Sequence, residues 1–497
     1  MKRLALPLFV SIVHNSRKLA RHEVLAGIVA GSLPIVVRLA LLPLAPIPIP
    51  AVHDEFSYLL AADTFSHGRL TNPTHPFWQH FESFHILQQP SYMSMYPPAQ
   101  AVFLALGEVF LGHPWFGLCV VFVLLGMAAT WALRAWLPLA WALPGALLVG
   151  AEFGITDYWI NSYWGGVTTA LGGFLVVGSA GCLLNRPNGA RVRNAFLLGL
   201  GILILANTRP WEGLVFCTGV IVFAGARLSV RRRWQDAALL RRWLAVVFLV
   251  LTVGGVLMAY YCWRVTGNAL GLPYLLNRRT YAIAPLFFWQ KPGPVPRYNH
   301  DVMRHFYLDW EPSFQAKYRS FRRGTFTFRL QLLERAAISN VPSPVATSPA
   351  GPPEMILPAR VGFFLLFLLV LWTGWRGKNT RWLVFLTGFF FVGICCQNYC
   401  FFHYVAPLVG ALTLLKVTAV RRWSLASRWS GGAKGVGALY LLVLLLLVWN
   451  SSRLIASVPK SDAFALRREG LKQCLQRIPG RHVVIVRYSS EHPIDQE

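Results

Sequence analysis

Long apolar runs, separated by short clusters of arginine and lysine, are the feature that most restricts how this chain can fold. Runs near residues 25–46, 115–133, 164–184 and 211–226 each approach the roughly 20 residues that a helix needs to cross a bilayer. Only 13% of the residues are charged, whereas soluble domains average about 25%. The sequence therefore predicts an α-helical polytopic membrane protein.

The basic clusters predict the orientation of the chain, because loops rich in arginine and lysine stay on the cytoplasmic side. One such cluster precedes the first apolar run, which places the N-terminus inside. Later clusters remain inside only if the apolar segment 97–112 is a juxtamembrane or re-entrant helix on the external face. About eleven transmembrane helices follow from this arrangement, seven before residue 264 and four after residue 355. The last four are expected near 359–375, 381–397, 401–416 and 436–450.

This orientation divides the chain into five parts. They are a cytoplasmic segment (1–24), a seven-helix module (25–263) with an acidic first external loop (47–114), a large basic external loop (264–355), four further transmembrane helices (356–450) and a short external C-terminal tail (451–497). Within the tail, DAFALRREGLKQCLQRI predicts a helix and RHVVIVRYS a strand, so we expect a small α/β unit there.

The formal net charge of +27 would suggest nucleic acid as the partner of a soluble protein. In a membrane protein it indicates cytoplasmic loops and anionic lipid, and no pattern of stacking aromatics with arginine favours RNA or DNA. The external loop 264–355 holds twelve basic and five acidic residues. Arg278 and Arg279 lie there among apolar and aromatic residues, which favours contact with a lipid phosphate. A solvated basic face, or contact with anionic lipid, is the alternative.

The first external loop contains HDEFSYLLAADTF, in which His53, Asp54 and Glu55 follow directly after an apolar run. The pattern predicts a helix from near Asp54 to Gly68. A purely structural explanation is an N-cap and a first-turn acid. The functional explanation is that Asp54 accepts a proton from an incoming hydroxyl or amine while Glu55 orients or coordinates a neighbour.

Three further polar turns are predicted on the same external face: DYWINSYWGG (157–166), NTRPWEG (207–213) and QNYCFFHY (397–404). Ionisable groups near a membrane are costly to bury, so Arg209 and Glu212 are candidate site residues. They could equally pair with each other across Pro210. Asn161 is left open, and a lone histidine such as His403 is usually structural.

Four histidines, at positions 67, 75, 80 and 85, lie in the first external loop near Glu82. Their spacing is a weak metal signal, because no HExxH motif accompanies it. A bound divalent metal ion is therefore an open alternative, and no other cofactor is predicted.

Several of these features together resemble the GT-C superfamily of polytopic glycosyltransferases, in particular the bacterial branch of protein mannosyltransferases and aminoarabinose transferases. The features are HDEFSYLLAADTF after the first span, the Tyr-Pro-Pro step at 96–98, seven spans before a large external loop, and NTRPWEG. The resemblance implies an inverting transferase of the bacterial inner membrane that moves a hexose or pentose from polyprenyl phosphate. It also implies a glycan, lipid or protein acceptor, and an acid-loop role for Asp54 with Glu55 as its companion.

The function predicted from the sequence is thus transfer of a sugar from a polyprenyl-phosphate donor on the external face. A transporter or flippase of an amphiphilic anion is the main alternative, although we find no internal repeat of the kind that transporters show. A non-catalytic membrane assembly protein is the other. The predicted catalytic residues are Asp54 and Glu55, and the predicted substrate-binding residues are His53, Tyr58, Tyr96, Asn161, Arg209, Glu212, Arg278, Arg279 and His403.

Overall fold

The computed structural model of the protein describes residue 11 and residues 14–186, 191–230, 237–319, 325–337, 356–426, 433–458, 463–480 and 482–485. Helices dominate, as the apolar runs predict. Numbered in chain order, the first nine helices are α1 (Glu23–Ala40), α2 (His53–Ser66), α3 (Ala99–Leu111), α4 (Trp115–Trp136), α5 (Leu139–Phe153), α6 (Val167–Asn185), α7 (Val192–Ala206), α8 (Pro210–Val230) and α9 (Ala237–Thr266). They are followed by α10 (Pro273–Tyr281), α11 (Asp301–His305), α12 (Glu311–Arg319), α13 (Thr325–Ala337), α14 (Ile356–Trp375), α15 (Arg381–Cys395), α16 (Val409–Ala426), α17 (Ala433–Ser457) and α18 (Ala463–Arg477).

Seven helices among the described residues are long and apolar enough to cross a membrane. These spans are Glu23–Ala40, Trp115–Trp136, Val167–Asn185, Pro210–Ser229, Leu240–Thr266, Phe402–Ala426 and Ala433–Ser457. Five shorter apolar helices accompany them: Ala99–Leu111, Leu139–Phe153, Val192–Ala206, Phe364–Trp375 and Arg381–Cys395. The chain is therefore a helical membrane protein, and the number of eleven spans stays a prediction.

Helix α3 corresponds to the segment predicted to be juxtamembrane or re-entrant. Its 13 residues extend for only about 20 Å, whereas the hydrocarbon core of a bilayer is about 30 Å thick. Gly112 ends the helix with φ of 77°, a left-handed conformation that favours glycine. A helix of this length is too short to cross the hydrocarbon core, and its placement on the external face stays a prediction.

Close packing of the first transmembrane helices depends on glycine. A methyl group added to Gly126 of α4 would lie 2.2 Å from the backbone nitrogen of Gly31 in α1, and one added to Gly31 would lie 2.5 Å from the Val123 backbone. Small residues at such crossings let two backbones approach each other within the membrane. This crossing fixes α1 against α4 and thereby the position from which the first loop leaves the bundle.

The segment 264–355, predicted from sequence as one large loop, contains helices α10–α13 and a π-helical turn at Phe306–Trp310. Helix α13 packs against α15, α16 and the 3₁₀ turn Phe402–Leu408, so its apolar side joins the main core. Strands β1 (Ile86–Leu87) and β2 (Met93–Ser94) form a short antiparallel hairpin that packs on α2. At the N-terminus of α2, the His53 ring contacts the rings of Phe84, His85 and Phe306.

The predicted α/β tail is present only as a helix among the described residues. Helix α18 matches the expected one, but residues 482–485 of the expected strand are not in a strand. Position 481 and the remainder of that segment, from 486 onward, lie outside the described residues. Val483 and Ile485 are exposed and have no neighbouring strand in the described part of the chain to pair with.

Candidate functional site

Asp54 lies in the first turn of α2, with its carboxylate held between a tyrosine and two histidines. The Tyr96 hydroxyl donates a hydrogen bond to Oδ1. The other oxygen, Oδ2, lies 3.8 Å from Nδ1 of His53 and 4.0 Å from Nε2 of His85. Tyr58, one turn along α2, stacks on the Tyr96 ring with 4.5 Å between centroids. The Asp54 side chain is 21% exposed, so it is fixed in orientation and still open to a small group.

The electrostatic surroundings keep Asp54 ionised. Burial alone would raise the pKa of Asp54, but His85 and His53 when protonated, the Tyr96 hydroxyl and the Arg209 guanidinium together lower it. The pKa of His85 is lowered, chiefly because burial disfavours the imidazolium. Burial thus disfavours the charged form of His85, while the Asp54 carboxylate beside it favours that form.

Glu55 points to a different part of the fold from Asp54. One carboxylate oxygen accepts hydrogen bonds from the backbone N–H groups of Ala51 and Val52, at 2.8 and 3.2 Å, and the other accepts from Tyr163 N–H at 2.9 Å. Burial raises the pKa of Glu55, and these three donors oppose that rise. With 3% of its surface exposed, Glu55 caps α2 and joins it to the 157–166 turn. Its carboxylate is thus already occupied by three backbone donors, and the catalytic role predicted for Glu55 stays a prediction.

Arg209, in the turn before α8, lies on the same side of the site as Asp54. Its guanidinium bonds to Nε2 of His403 and stacks over the Tyr404 ring, 4.3 Å from the centroid. The opposite nitrogen of His403 is 2.8 Å from the Tyr158 hydroxyl. Among the residues that the structure describes, no carboxylate forms an ion pair with Arg209. Its charge therefore stays available to an anion, and it already stabilises the Asp54 carboxylate.

Glu212 lies in the first turn of α8 and is 3% exposed. It accepts a hydrogen bond of 3.3 Å from Gln397 Nε2. The charge of Arg209 stabilises the Glu212 carboxylate through space. The sequence left open whether Arg209 and Glu212 pair with each other. In the structure their charges attract each other without forming an ion pair among the described residues.

Arg278 and Arg279, adjacent on α10, lie in different environments. Arg278 forms a buried ion pair with Glu311 of α12 and donates to the Ala284 carbonyl. It is close enough to His85 to act on the charge of that imidazole. Arg279 is exposed. The structure thus brings one of the two predicted phosphate ligands to the site, already partnered by an acid.

Asn161 forms hydrogen bonds within the protein that use its whole amide. Its Oδ1 accepts from Arg38 Nε at 3.0 Å, and its Nδ2 donates to two carbonyl oxygens, one of them in its own turn. Arg38 also donates to the carbonyls of Ala45 and Pro46, in the segment that leads to α2. Asn161 therefore holds, through Arg38, the segment that leads to α2.

Several residues of the site were not singled out from sequence, among them His85 and Tyr274. His85 is one of four histidines in the first loop. It directly precedes strand β1, and this position brings it close to Asp54. The other three, His67, His75 and His80, are exposed. Tyr274 of α10 has its ring centroid 6.4 Å from that of Tyr96. No local pattern marks either residue, because their neighbours come from distant parts of the chain.

His53, Asp54 and His85 have the chemistry of a metal site. One ligand atom from each lies within 4.8 Å of the others. Nδ1 of His85 is buried and has no hydrogen-bond partner among the described residues. Two imidazoles and one carboxylate form a three-ligand set that suits zinc or a similar transition metal better than magnesium or calcium. The three residues therefore fit a divalent ion with an open coordination position.

The sequence matches no known protein-family profile and no curated protein. Among solved structures it is similar to the oligosaccharyltransferase of Archaeoglobus fulgidus in the apo form, with 13% identity over 87% of this chain and 55% of that one, at a TM-score of 0.47. It is also similar to the complex of that enzyme, AglB, with an inhibitory peptide and a dolichol-phosphate, with 12% identity over 93% of this chain and 61% of the other, at 0.46. A third, a complex with Zn and sulfate, has 13% identity over 85% of this chain and 52% of the other, also at 0.46. The chain thus spans about half to three fifths of the length of these proteins.

Proposed function

We propose that the protein is a membrane glycosyltransferase that moves a sugar from a polyprenyl-phosphate donor to an acceptor on the external face. One observation carries the proposal: an ionised, oriented carboxylate at Asp54 shares a polar site with the guanidinium of Arg209, which forms no ion pair with the described carboxylates. A base and an anion-binding group near each other are what displacement of a phosphate by a hydroxyl or amine requires.

Asp54 is the proposed base. Its Oδ1 is held by Tyr96, so Oδ2 is the oxygen that takes the proton from the acceptor hydroxyl or amine. As that proton leaves, the acceptor atom attacks the anomeric carbon and the bond from this carbon to the phosphate oxygen breaks. Attack from the side opposite the phosphate inverts the anomeric configuration. A positioned base of this kind contributes roughly 10²–10⁴-fold to the rate.

Arg209 is the proposed ligand of the leaving phosphate. The negative charge on that phosphate grows as the glycosidic bond breaks, so a fixed guanidinium stabilises the transition state more than the ground state. His403 and Tyr404 hold the guanidinium, and Tyr158 holds His403. Arg278 is the second candidate, although its partnership with Glu311 reduces its free charge. Exposed Arg279 is left without a proposed contact.

The finer assignments are likewise proposals. Tyr58 and Tyr96 form a stacked pair beside Asp54 and would orient both the base and the sugar. A divalent metal, if bound, would be held by His53, Asp54 and His85 and would supply positive charge to the site. The Asp54 carboxylate would then act as a metal ligand instead of as the base. We retain the bacterial inner membrane as the location, and a glycan, lipid or protein as the acceptor.

The test is turnover by full-length protein purified in detergent, with a donor identified by mass spectrometry of lipids that co-purify. We expect Asp54→Asn to lower the rate by at least 10²-fold, because the base is lost while its size is kept. Asp63→Asn, on the exposed side of the same helix, is the matched control and should keep wild-type turnover. Equal turnover of Asp54→Asn and wild type would overturn the role of Asp54, and the absence of any isoprenoid phosphate from the co-purified lipids would argue against the donor.

A further inference from the structure

The two arginines of the polar site, Arg209 and Arg278, are held by different kinds of group. Arg278 forms an ion pair with the carboxylate of Glu311. Arg209 is half-buried and bonds instead to Nε2 of His403. A neutral imidazole leaves the full positive charge of a guanidinium in place, whereas a carboxylate cancels most of it. The charge on His403 therefore decides how strongly Arg209 attracts an anion.

The hydrogen bonds of His403 define its protonation. A guanidinium has N–H donors and no acceptor, so Nε2 of His403 accepts the bond from Arg209 and carries no hydrogen. The ring proton is then on Nδ1, which lies 2.8 Å from the Tyr158 hydroxyl and donates to its oxygen. A proton on both nitrogens would set the N–H group of an imidazolium against the guanidinium, where like charges repel. His403 is thus neutral, with its proton on Nδ1.

Aromatic rings hold the His403 imidazole in this orientation. The Phe401 ring is stacked on it, with 5.8 Å between centroids and 7° between planes. The Trp164 ring meets it at a steep angle, with centroids 5.0 Å apart. Since His403 is only 1% exposed, the imidazole has no room to turn and exchange its two nitrogens. Nε2 therefore stays toward Arg209.

We propose that His403 is a positioning residue whose neutral Nε2 orients the Arg209 guanidinium and leaves its charge free for the phosphate of the donor. Tyr158 takes part by accepting the Nδ1 proton, which excludes the tautomer with hydrogen on Nε2. The inference rests on the proposed function for the identity of the anion. It adds a reason why a histidine holds this arginine, because a carboxylate in the same place would compete with the phosphate.

The test separates the charge at position 403 from the hydrogen bond that it accepts. His403→Gln and His403→Glu have side chains of nearly equal size, and both can place an oxygen where Nε2 accepts from Arg209. The probe is farnesyl phosphate, and its binding to the purified full-length protein in detergent is measured by microscale thermophoresis. Farnesol, which has no phosphate, gives the contribution of the chain alone.

We expect His403→Gln to bind farnesyl phosphate within about threefold of the wild type, because a neutral acceptor is kept. His403→Glu should bind it at least about tenfold more weakly, because its carboxylate cancels the charge of Arg209. A residue that only held Arg209 in place would tolerate the acid as well as the amide. His80→Glu, which adds the same charge at an exposed histidine of the first loop, is the control and should bind as the wild type does.

If His403→Glu does not fold, as judged by its thermal unfolding, His403→Asn takes its place. The shorter amide reaches the position of Nδ1 and not that of Nε2, so it keeps the neutral charge and loses the bond to Arg209. Binding of farnesyl phosphate should then fall roughly fivefold to tenfold, the ratio expected for one hydrogen bond.

Equal binding by His403→Gln and its partner variant, Glu or Asn, would overturn the role of His403. So would a wild type that binds farnesyl phosphate no better than farnesol, because Arg209 would then hold no phosphate. None of these measurements depends on turnover. Binding as expected in a protein that transfers no sugar from any polyprenyl-phosphate donor would support the role of His403 and overturn the proposed function alone.

Discussion

At the scale of single residues, the neighbours Asp54 and Glu55 have separate roles because successive helical residues point about 100° apart. Asp54 faces Tyr96, His85 and the polar site, whereas Glu55 faces the backbone of the segment before α2 and of Tyr163. Asp54 therefore faces the polar site, where we propose that it acts as the base, and Glu55 holds the helix in place.

We predict that Glu55→Gln acts mainly on stability. The amide can keep one of the two acceptor oxygens and turns a donor toward N–H groups, so a charged hydrogen-bond set is lost at a cost of roughly 1.5–3 kcal/mol. Thermal unfolding in detergent should show a lower midpoint, while turnover per folded molecule falls much less than in Asp54→Asn. Loss of turnover at an unchanged midpoint would instead assign Glu55 to the reaction.

We predict that Arg209 contributes to turnover through both the positive charge and the planar shape of its guanidinium group. Arg209→Gln should lower turnover by roughly 10²–10³-fold, the loss typical when a group that stabilises transition-state charge is removed. Arg209→Lys keeps the charge but loses the bidentate contact with phosphate, so its turnover should lie between that of Arg209→Gln and that of the wild type. Steady-state rates with saturating donor measure both. Arg297→Gln, which replaces an exposed arginine of the 264–355 segment, is the control, and an equal fall there would mean that general surface charge is responsible.

At the scale of elements, the C-terminal helix α18 supports the helix that carries Asp54. Arg468 of α18 donates to the Pro50 carbonyl, just before α2, and its guanidinium lies 4.3 Å from the Phe56 ring centroid. The two contacts hold the entry to α2 from both sides of Asp54.

We predict that Arg468→Ala makes the N-terminal end of α2 less firmly held and lowers turnover about tenfold. The reason is that the lost hydrogen bond and cation–π contact together contribute about 1–2 kcal/mol. Arg468→Lys keeps the charge over Phe56 and should restore part of the rate. The neighbouring Arg467 is exposed, so Arg467→Ala controls for charge alone. If both alanine variants turn over at the same rate, α18 has no part in positioning Asp54.

Secondary-structure elements were easier to predict from the sequence than side-chain contacts between distant residues. The helix predicted from near Asp54 to Gly68 is observed at His53–Ser66, and the predicted tail helix at Ala463–Arg477, because apolar spacing and end signals are local. The long-range contacts of Glu55 and Asn161 were not predictable. Their partners, Tyr163 and Arg38, lie 108 and 123 residues away, and no local pattern encodes such contacts.

At the scale of the whole molecule, the remaining question is which side of the membrane the polar site faces. Positive charge at the N-terminus predicts that it faces outward, and the contact between Arg468 and Pro50 places α18 on the same side as Asp54. The orientation of α18 therefore reports the orientation of the site.

Cys474 provides a natural label for that orientation. It lies in α18 and is exposed, whereas the other seven cysteines are buried or half-buried. We predict that a membrane-impermeant maleimide labels intact spheroplasts, and that Cys474→Ser removes most of the label. A cysteine added before residue 25 in a Cys474→Ser background should be labelled only after permeabilisation, because that segment is expected inside. If Cys474 were labelled only after permeabilisation, α18 and the polar site would face the cytoplasm. A donor and an acceptor on the outer face could then not reach Asp54 and Arg209, which would contradict the proposed function.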